Sequence, residues 1–516
     1  MTKLSRRDVL KLSLAALGGA AATALAPSVA RTIRRRSPGR PNILILVFDA
    51  LSARHMALHG YERATTPNIE KFADSATVYH NHYSAGSFTT PGTASILTGL
   101  EPWHHRAVTL SSMVRRSLAS NNIFSLGEGE YFRIGFTQNL LADVFLRQFH
   151  YDLDLHLPAQ SFSYKNPLLV EGLDNSDPLA YLAFDDFLVG GFKFDTPYSG
   201  SATLGVIDRI LRRGVTQHPE IKGRLRFEIC FNGYFYYQNR VLFEGIFNTL
   251  QRAESNDRPY LGYFHFWSPH EPYFPTQEFA GLFKEDWKNP ERPDHPFAPL
   301  YLHTPGHLLQ LRKAYDEYIA NVDAEFGRLI ASMSDAGMLD DTYVIILADH
   351  GQLFERGVHG HASRLLYEGV LRTPLLIRSP GQTRRVNVRT PTSNVDLLPT
   401  LASIMGVESR MQTDGQVLPG FGGAENPNRS VFSVNAGENS AFRPLHTGTF
   451  ALMKGGRKLL HYTGYTGMED LTEMYDIVED PDELRDLSRD DPATARRMKE
   501  ELLTARDAAD RAALGT

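Results

Sequence analysis

Three short apolar segments that each end near an acidic residue or a histidine constrain the fold of this 516-residue chain most strongly. They are NILILVF before Asp49, YVIILA before Asp349 and His350, and YLGYFHF ahead of His270. Uninterrupted apolar runs of this length are typical of strands that are buried on both faces of a sheet. The carboxyl ends of such strands form the ligand crevice of open α/β sheets, so neighbouring strands would bring these four side chains together.

A hydroxyl-rich stretch, SAGSFTTPGTASILTG, places two adjacent threonines before a Pro-Gly turn and a helix-like run. Serine and threonine commonly cap helices and fill turns, which is one explanation for Thr89 and Thr90. The other explanation is that one of the two hydroxyls is a nucleophile. Two aspartates, a histidine and a hydroxyl suit a hard or borderline divalent cation, which would lower the pKa of a neighbouring hydroxyl.

Composition and charge narrow the class of protein. Hydrophobic residues make up 42% and charged residues 22% of the chain, so it can bury a large core. A single cysteine, Cys230, excludes an intrachain disulfide. Residues 1–40 carry nine Lys or Arg and one acidic residue, a net charge of +8; the whole chain carries −5, which leaves −13 for the remainder. An acidic body gives no support to a nucleic-acid partner.

The N-terminal segment predicts export. SRRDVLK, residues 5–11, resembles the twin-arginine export signal, and the apolar stretch 12–26 that follows is too short for a comfortable membrane span. We expect a signal peptide over 1–30, a basic linker over 31–40, the twin-arginine export machinery as partner, and a periplasmic or extracellular location. Whether the signal is cleaved or kept as an anchor is open, and the alternative explanation is an amphipathic cytosolic helix.

Longer segments in a fixed order resemble the sulfatase family of the alkaline phosphatase superfamily across most of residues 41–500. The similar segments include NILILVFDALSARHMALHGY, SPHEPYFP, DEYIANVDAEFGRLIASMSDAGMLDDTYVIILADHGQ, LLYEGVLRTPLLIRSPG and EMYDIVEDPDELRDL. The resemblance implies an alkaline-phosphatase-like α/β fold, with a large mixed central sheet flanked by helices and a smaller C-terminal subdomain of antiparallel strands and a helix. It implies a catalytic domain over 41–419, with 140–258 inserted over the site, and a C-terminal subdomain over 420–516.

The resemblance also implies a metal site and a nucleophile. Asp49, Asp349 and His350 stand where the family has metal ligands, and Thr89 stands at the nucleophile position as a further ligand. Many members have a second aspartate beside the first, whereas the neighbours of Asp49 are a phenylalanine and an alanine. The number of ligands therefore stays open. We expect one divalent ion by default, because no Asp-x-x-x-His element stands where the family would place one for a second ion, with Ca, Mg, Mn and Zn not distinguished.

Histidines are the remaining candidates for catalysis. His270 resembles the family histidine that contacts a substrate oxygen or the leaving group, and His361 is favoured as general acid or anion contact, with His359 second. A surface pair of loop histidines is the alternative explanation for the sequence HGH. A second ion would need further histidines, for which His265, His270, His359 and His361 could serve.

The chain departs from the family pattern at the substrate-binding positions. Family sulfatases convert a cysteine or serine to formylglycine, and a threonine is not a substrate for that conversion. Thr93 replaces the family arginine, and Gln138 or Asn139 stands near the place of the Lys-x-His element. We expect Thr90, Thr93 and Asn139 to supply neutral contacts to the substrate. Threonine is the nucleophile of phosphodiesterases and phosphotransferases of the superfamily.

These residues together imply a metal-dependent hydrolase that cleaves a phosphate or sulfate ester through Thr89. Phosphodiester, phosphonate and phosphomonoester substrates are favoured, and the substrate is an anionic small-molecule, glycan or lipid ester. The first alternative is a sulfatase that uses an unmodified hydroxyl. The second is an inactive family member that binds anionic glycans, which metal content and turnover would distinguish from an enzyme.

Overall fold

The computed structural model describes residues 40–162, 230–231, 236–284, 295–297, 303–354 and 358–514. The expected signal peptide and all but the last residue of the expected linker lie outside the described residues, as do residues 163–229 of the expected inserted region. Residues from 41 onwards form one compact unit. No described helix combines the length and the apolar composition that a membrane crossing requires.

The regular elements of the described residues are strands, α-helices and short 3₁₀ turns. The strands are β1 (Asn42–Phe48), β2 (Thr77–Tyr79), β3 (His82–Tyr83), β4 (Phe132–Thr137), β5 (Leu155–Leu157), β6 (Cys230–Phe231), β7 (Tyr236–Tyr237), β8 (Tyr260–Phe266), β9 (Thr342–Leu347), β10 (Leu375–Arg378), β11 (Val386–Val388), β12 (Thr392–Ser393), β13 (Val431–Asn435), β14 (Gly448–Lys454), β15 (Arg457–Tyr465) and β16 (Met468–Asp476). The α-helices are α1 (Pro67–Ala73), α2 (Thr89–Thr98), α3 (Pro102–His105), α4 (Ile123–Leu126), α5 (Leu140–Gln148), α6 (Asn239–Ala253), α7 (Pro305–Asp335), α8 (Glu368–Leu371), α9 (Leu397–Met405) and α10 (Pro492–Leu514).

The central sheet is mixed and has the strand order β11-β2-β10-β9-β1-β8-β4-β5. Strands β9, β1, β8, β4 and β5 run parallel, whereas β10 is antiparallel to both β9 and β2. The three apolar runs of the sequence are therefore adjacent parallel strands, with β1 between β9 and β8. This arrangement confirms the predicted mixed sheet, and it brings the carboxyl ends of all three strands to one edge.

Helices cover both faces of this sheet because the side chains of each central strand alternate between two cores. Leu44 and Phe48 of β1 belong to a core that includes side chains of α1, α6 and α7. Ile43 and Val47 belong to a second core that includes side chains of α2, α4, α5 and α9. Full burial of an aliphatic or aromatic side chain contributes about 1.5–3 kcal/mol, so the register of β1 is strongly specified by packing on both faces.

The C-terminal subdomain is a four-stranded antiparallel sheet in the order β13-β14-β15-β16, packed against α10. This confirms the predicted sheet-plus-helix subdomain. The helix begins at Pro492, a residue that is favoured in the first turn of helices. The subdomain also supports the segment that precedes α2. The Val434 N–H donates to the Ala85 carbonyl at 2.8 Å, and the Asn435 amide donates to the Ser87 hydroxyl at 2.9 Å.

The two ends of the range expected to be inserted over the site belong to the core of the catalytic domain. Strand β5 pairs with β4 at the edge of the central sheet, and α6 packs along α7 and β8. The expected boundaries 140 and 258 are therefore corrected, because these ends complete the sheet and its helical layer. The expectation that residues 163–229 cover the site concerns residues outside the described part and stays a prediction.

Candidate active site

Two aspartates and a histidine meet at the carboxyl edge of the central sheet. One ligand atom from each of Asp49, Asp349 and His350 lies within 4.8 Å of the others. The His350 Nε2 atom is 3.4 Å from Asp49 Oδ1 and 3.5 Å from Asp349 Oδ2, and all three side chains are completely buried. The convergence expected from the sequence is observed because the strands before these residues are adjacent and parallel.

Backbone groups fix the orientation of the second half of this cluster. Asp349 Oδ1 accepts the backbone N–H of Ala50 at 3.2 Å and that of His350 at 2.9 Å. The His350 Nδ1 atom is 2.8 Å from the Gly351 carbonyl oxygen, which can only accept, so Nδ1 carries the hydrogen. The Nε2 lone pair of His350 therefore faces the two carboxylates.

Thr89 is the first residue of α2 and points its hydroxyl into the same cluster. Its Oγ1 atom lies 3.1 Å from Asn139 Nδ2 and 3.4 Å from His350 Nε2. A Cβ atom at Gly92, one turn later, would lie 2.2 Å from the carbonyl oxygen of Asp349, so only glycine lets α2 approach the end of β9 this closely. The helix N-terminus beside Thr89 favours an anionic group.

Asn139 joins the first carboxylate to the threonine. It is the N-cap of α5, where its Oδ1 atom accepts the Leu141 N–H at 2.9 Å. This bond turns the amide nitrogen into the cluster, where Nδ2 donates to Asp49 Oδ2 at 2.6 Å and to Thr89 Oγ1 at 3.1 Å. The sequence predicted a substrate contact at this position, whereas the structure shows a bridge between two residues of the site.

His270 and His361 lie together above the metal-ligand candidates. Their Nε2 atoms are 3.2 Å apart, and the His361 ring stacks on the His350 ring with centroids 4.4 Å apart. His270 Nδ1 contacts the Glu271 carbonyl at 2.5 Å, and His361 Nδ1 contacts the Gln352 Oε1 atom at 2.8 Å. Both Nδ1 atoms therefore act as donors, which directs both Nε2 atoms toward the space beside the cluster.

His359 lies further from the cluster than His361 does. Its Nε2 atom contacts the Tyr273 hydroxyl at 2.8 Å, the Gln352 amide nitrogen at 3.1 Å and Glu271 Oε2 at 3.3 Å. The structure thus brings His361 to the site directly and His359 to its margin.

The other two threonines of the hydroxyl-rich stretch are engaged or buried elsewhere. The Thr90 hydroxyl donates to the Leu110 carbonyl at 2.7 Å, away from Thr89. Thr93 is completely buried one turn deeper in α2. The substrate contacts expected of Thr90 and Thr93 therefore find no support in this geometry, because one hydroxyl already has an acceptor and the other is enclosed by the core.

His265 of β8 is the site residue that sequence reasoning underestimated. Its Nε2 atom lies 3.6 Å from Asp49 Oδ2 and 3.7 Å from Asp349 Oδ2, and the side chain is completely buried. The sequence offered it only as a possible ligand of a second ion. The available signal was a lone histidine in an apolar strand, on the strand face that alternation shares with Leu261 and Tyr263.

Burial and charge repulsion make this cluster unfavourable without a cation. Burial raises the pKa of Asp49, and burial together with the facing Asp49 carboxylate raises the pKa of Asp349. Burial lowers the pKa of His350 to about 3 and also lowers that of His265. Within the described part of the chain, Asp49 Oδ1, Asp349 Oδ2 and His265 Nε2 have no hydrogen-bond partner. These donor atoms fit a divalent cation.

Comparison with known protein families gives two matches. The sulfatase family matches residues 41–407, and the family described as N-sulphoglucosamine sulphohydrolase, C-terminal, matches residues 357–508. The first match covers both halves of the cluster, from the strand before Asp49 to the loop that contains His361. The second covers the loop with His359 and His361 and most of the C-terminal subdomain.

Individual relatives are distant but extend over most of the chain. Choline-sulfatase of Rhizobium meliloti strain 1021 is 24% identical over 486 residues, which cover 87% of this chain and 83% of that protein. The multifunctional alkaline phosphatase superfamily protein PehA of Trinickia caryophylli is 24% identical over 420 residues, which cover 74% and 77% respectively. The structure of phosphonate monoester hydrolase from Silicibacter pomeroyi has a TM-score of 0.63 at 20% identity and covers 92% of this chain and 97% of that chain. The structural likeness shows a shared fold.

Proposed function

This chain belongs to the sulfatase family of hydrolytic enzymes, and on that premise we propose that it cleaves a phosphate or sulfate ester with Thr89 as the nucleophile. The observation that carries the proposal is the position of the Thr89 hydroxyl, at a helix N-terminus and 3.4 Å from His350 Nε2, beside two buried carboxylates. Phosphodiesters, phosphonate esters and phosphomonoesters are the favoured substrates, because an unmodified threonine is suited to forming a phosphoryl intermediate. The alcohol belongs to a small molecule, a glycan or a lipid.

Asp49, Asp349, His350 and Thr89 would hold a divalent cation, which supplies positive charge that lowers the pKa of a neighbouring hydroxyl and offsets charge on the ester oxygens. The chain's own contribution is orientation. Asn139 donates to the Thr89 oxygen at 3.1 Å and stabilises negative charge on it. The first backbone N–H groups of α2 face the anionic group of the substrate.

Transfer through Thr89 has two balanced half-reactions. In the first, Thr89 gives its hydroxyl proton to bulk water and its oxygen bonds to phosphorus, while the bond to the leaving oxygen breaks and a protonated His361 or His270 gives that oxygen a proton. In the second, water attacks the phosphothreonine and gives a proton to the same histidine, the bond between phosphorus and the Thr89 oxygen breaks, and that oxygen takes a proton from bulk water. The 3.2 Å contact between the two Nε2 atoms supports either histidine as the group that transfers this proton.

The decisive experiment compares Thr89→Ala with Thr90→Ala on bis-aryl phosphate, aryl phosphonate, aryl phosphate and aryl sulfate esters. Thr89→Ala removes the nucleophile and should lower kcat on the preferred ester by on the order of 10³-fold or more. Thr90→Ala removes a hydroxyl that is bonded to the Leu110 carbonyl and should retain turnover within about tenfold. A phosphoryl group on Thr89, trapped by acid quench and located by mass spectrometry, would support the intermediate directly.

Undiminished turnover by Thr89→Ala would remove Thr89 from the mechanism. A sulfatase that uses an unmodified hydroxyl is the second candidate, favoured by the similarity to choline-sulfatase, and it requires aryl sulfate to turn over faster than the phosphorus esters. A metal-free protein that binds anionic glycans and hydrolyses none of the four esters would support the inactive-binder alternative.

We also propose that the protein is exported through the twin-arginine route and acts in the periplasm or outside the cell. The support is the SRRDVLK sequence, the short apolar stretch after it and the absence of a possible intrachain disulfide in a chain with one cysteine. Replacing Arg6 and Arg7 with lysines should retain the protein in the cytoplasm, as measured by cell fractionation. Unchanged export of that variant would contradict this route.

A further inference from the structure

We propose that His265 is a ligand of the same cation, and that two imidazoles and two carboxylates together select a transition-metal ion of the Zn²⁺ or Fe²⁺ class over Ca²⁺ and Mg²⁺. This inference rests on the site assigned under the proposed function and specifies its cofactor. His265 occupies the central strand β8, where it is paired in register with Val47 of β1 and Thr137 of β4. His265 therefore lies on the strand between β1, which leads to Asp49, and β4, which leads to Asn139.

Two distances around His265 fall in the range found between ligands of one ion. Its Nε2 atom lies 3.6 Å from Asp49 Oδ2 and 3.7 Å from Asp349 Oδ2. Two atoms that each lie about 2.0–2.2 Å from a common ion are roughly 3–3.7 Å apart for bond angles between a right angle and a trigonal one. The same separations are too long for N–H···O hydrogen bonds. An ion shared by the three side chains explains a spacing that hydrogen bonding does not.

The hydrogen-bonding pattern gives an independent reason. The His265 Nε2 atom is completely buried, and neither it nor the Asp49 Oδ1 and Asp349 Oδ2 atoms have a hydrogen-bond partner among the described residues. The Nδ1 atom lies 3.3 Å from the Tyr263 hydroxyl. Metal-bound histidines regularly donate their second ring N–H to an oxygen, which here would be that hydroxyl. With the Nδ1–H donated to that hydroxyl, the buried Nε2 lone pair would face two carboxylates, which is unfavourable unless a cation lies between them.

The second imidazole changes which ion the site prefers. Ca²⁺ takes six to eight oxygen ligands, and Mg²⁺ keeps several waters around one or two carboxylates. Imidazole nitrogens suit Zn²⁺ and Fe²⁺. His350 alone would leave this choice open, whereas His265 and His350 together make two of the five buried protein donors, which include Thr89, nitrogen atoms. The sequence could not distinguish these ions because His265 was not assigned to the set.

The test counts ligating imidazoles in the full-length protein after chelation and reconstitution with Co²⁺. Each imidazole bound through Nε2 contributes one exchangeable, hyperfine-shifted Nδ1–H signal to the proton NMR spectrum. We expect two such signals for the wild type, from His265 and His350, and one for His265→Gln. In competition titrations, the ratio of Zn²⁺ affinity to Ca²⁺ affinity should be about 100-fold or more lower for His265→Gln than for the wild type.

His105→Gln is the matched control. His105 is also completely buried, but it contacts the Ser95 hydroxyl at 3.1 Å and the Ala107 N–H at 3.0 Å and faces no carboxylate of the site. This variant should keep both signals and the preference for Zn²⁺. Two signals in His265→Gln, or an unchanged ratio of Zn²⁺ to Ca²⁺ affinity, would overturn the proposal in favour of a purely structural histidine.

Two further measurements test the assignment of His265 separately from the folding of His265→Gln and from the proposed nucleophile. If His265→Gln fails to fold by circular dichroism, the wild type alone decides, since a single shifted N–H signal or tighter binding of Ca²⁺ than of Zn²⁺ would overturn the assignment. Thr89→Ala should keep both signals and the metal preference while losing turnover. Retained turnover in that variant would reject the proposed nucleophile and leave the count of imidazoles standing.

Discussion

Two aspartates of this protein are equally buried, but their surroundings shift their pKa values in opposite directions. Asp316 of α7 and Asp349 after β9 are both completely buried. Asp316 accepts from His55 Nδ1 at 2.7 Å, from the Tyr61 hydroxyl at 2.6 Å and from the Arg63 guanidinium at 2.7 Å. Asp349 directs one oxygen to backbone N–H groups, while its other oxygen faces Asp49 and two histidines and has no hydrogen-bond partner in the described residues.

The pKa values follow these surroundings. Burial by itself raises the pKa of Asp316, but the neighbouring His55, Arg312 and Tyr61 outweigh it and hold that pKa below its ordinary value. Burial and the Asp49 carboxylate raise the pKa of Asp349, with His265 acting in the opposite direction. The Asp316 network is complete within the chain and stabilises the fold. The Asp349 cluster is complete only with a cation, which is the property expected of a functional site.

The largest expected effect is a loss of stability when Asp316 is replaced. Asp316→Asn leaves the buried Arg63 guanidinium without its charge partner and should lower the free energy of unfolding by about 3–5 kcal/mol, measured by urea denaturation in the presence of a chelator. Glu244→Gln is the control, because it removes only an exposed ion pair with Arg240 and should cost at most about 0.5 kcal/mol. Equal losses in the two variants would mean that the Asp316 network does not stabilise the fold.

The next largest expected effect is the stabilisation of the fold by an ion bound at the Asp349 cluster. Zn²⁺ at a free concentration 100 times its Kd should stabilise the wild type by about 2.7 kcal/mol, because the ion binds only the folded state. Asp316→Asn should gain the same increment, since its site is intact, whereas Asp349→Asn should gain far less. A comparable gain in Asp349→Asn, measured as a shift of the urea midpoint, would place the ion elsewhere.

In the absence of the ion, we expect Asp349→Asn to be slightly more stable than the wild type. In chelated protein, Asp349→Asn keeps the Oδ1 atom that accepts from Ala50 and His350, and replaces the unpartnered oxygen with an amide donor facing Asp49. Relief of repulsion should raise the free energy of unfolding by about 1 kcal/mol. A loss of stability in this variant without metal would show that the two carboxylates are not in conflict.

The last prediction concerns the pH dependence of the contribution that Asp316 makes to stability. Because the folded-state pKa of Asp316 is depressed, its contribution is fully present above the ordinary carboxyl pKa of about 4 and is lost as the pH falls below it. The stability difference between wild type and Asp316→Asn should therefore be constant near neutral pH. It should shrink in acid by about 1.4 kcal/mol for each unit by which the pKa is depressed. A difference that persists unchanged at pH 2–3 would contradict an ionised Asp316.

Much of the site could be predicted because local sequence pattern and strand direction act together. Asp49, Asp349 and His350 each follow a run of apolar residues, and parallel strands present such ends at one edge. Thr89 was proposed from the resemblance to the sulfatase family, because the turn and helix that follow it left the choice between Thr89 and Thr90 open. The antiparallel sheet and final helix of the C-terminal subdomain were also predicted, because their hydrophobic periodicity reports the side that is buried.

Other roles depended on contacts that no local pattern specifies. A histidine in an apolar strand has the same sequence signature whether it is a core residue with satisfied hydrogen bonds or a ligand. The position of His265 beside the two carboxylates therefore became visible only from the register of β8 against β1 and β4. Asn139 was expected to contact substrate, yet its cap of α5 turns the amide toward Asp49. The Thr90 hydroxyl was expected beside the substrate, yet the Leu110 carbonyl accepts it.

The sequence alone determined the kinds of strand, the chemistry at their ends and the family fold, because apolar periodicity and turn chemistry act between near neighbours. Only the tertiary structure decided which side chains meet at the carboxyl edge of the central sheet. Asp49 and Asn139 are separated by 90 positions, Thr89 and His350 by 261, and Ala50 and Asp349 by 299. Bringing such distant residues within 4 Å requires a fixed strand order, a fixed register and the close approach that Gly92 permits, and these arise from packing of the whole core.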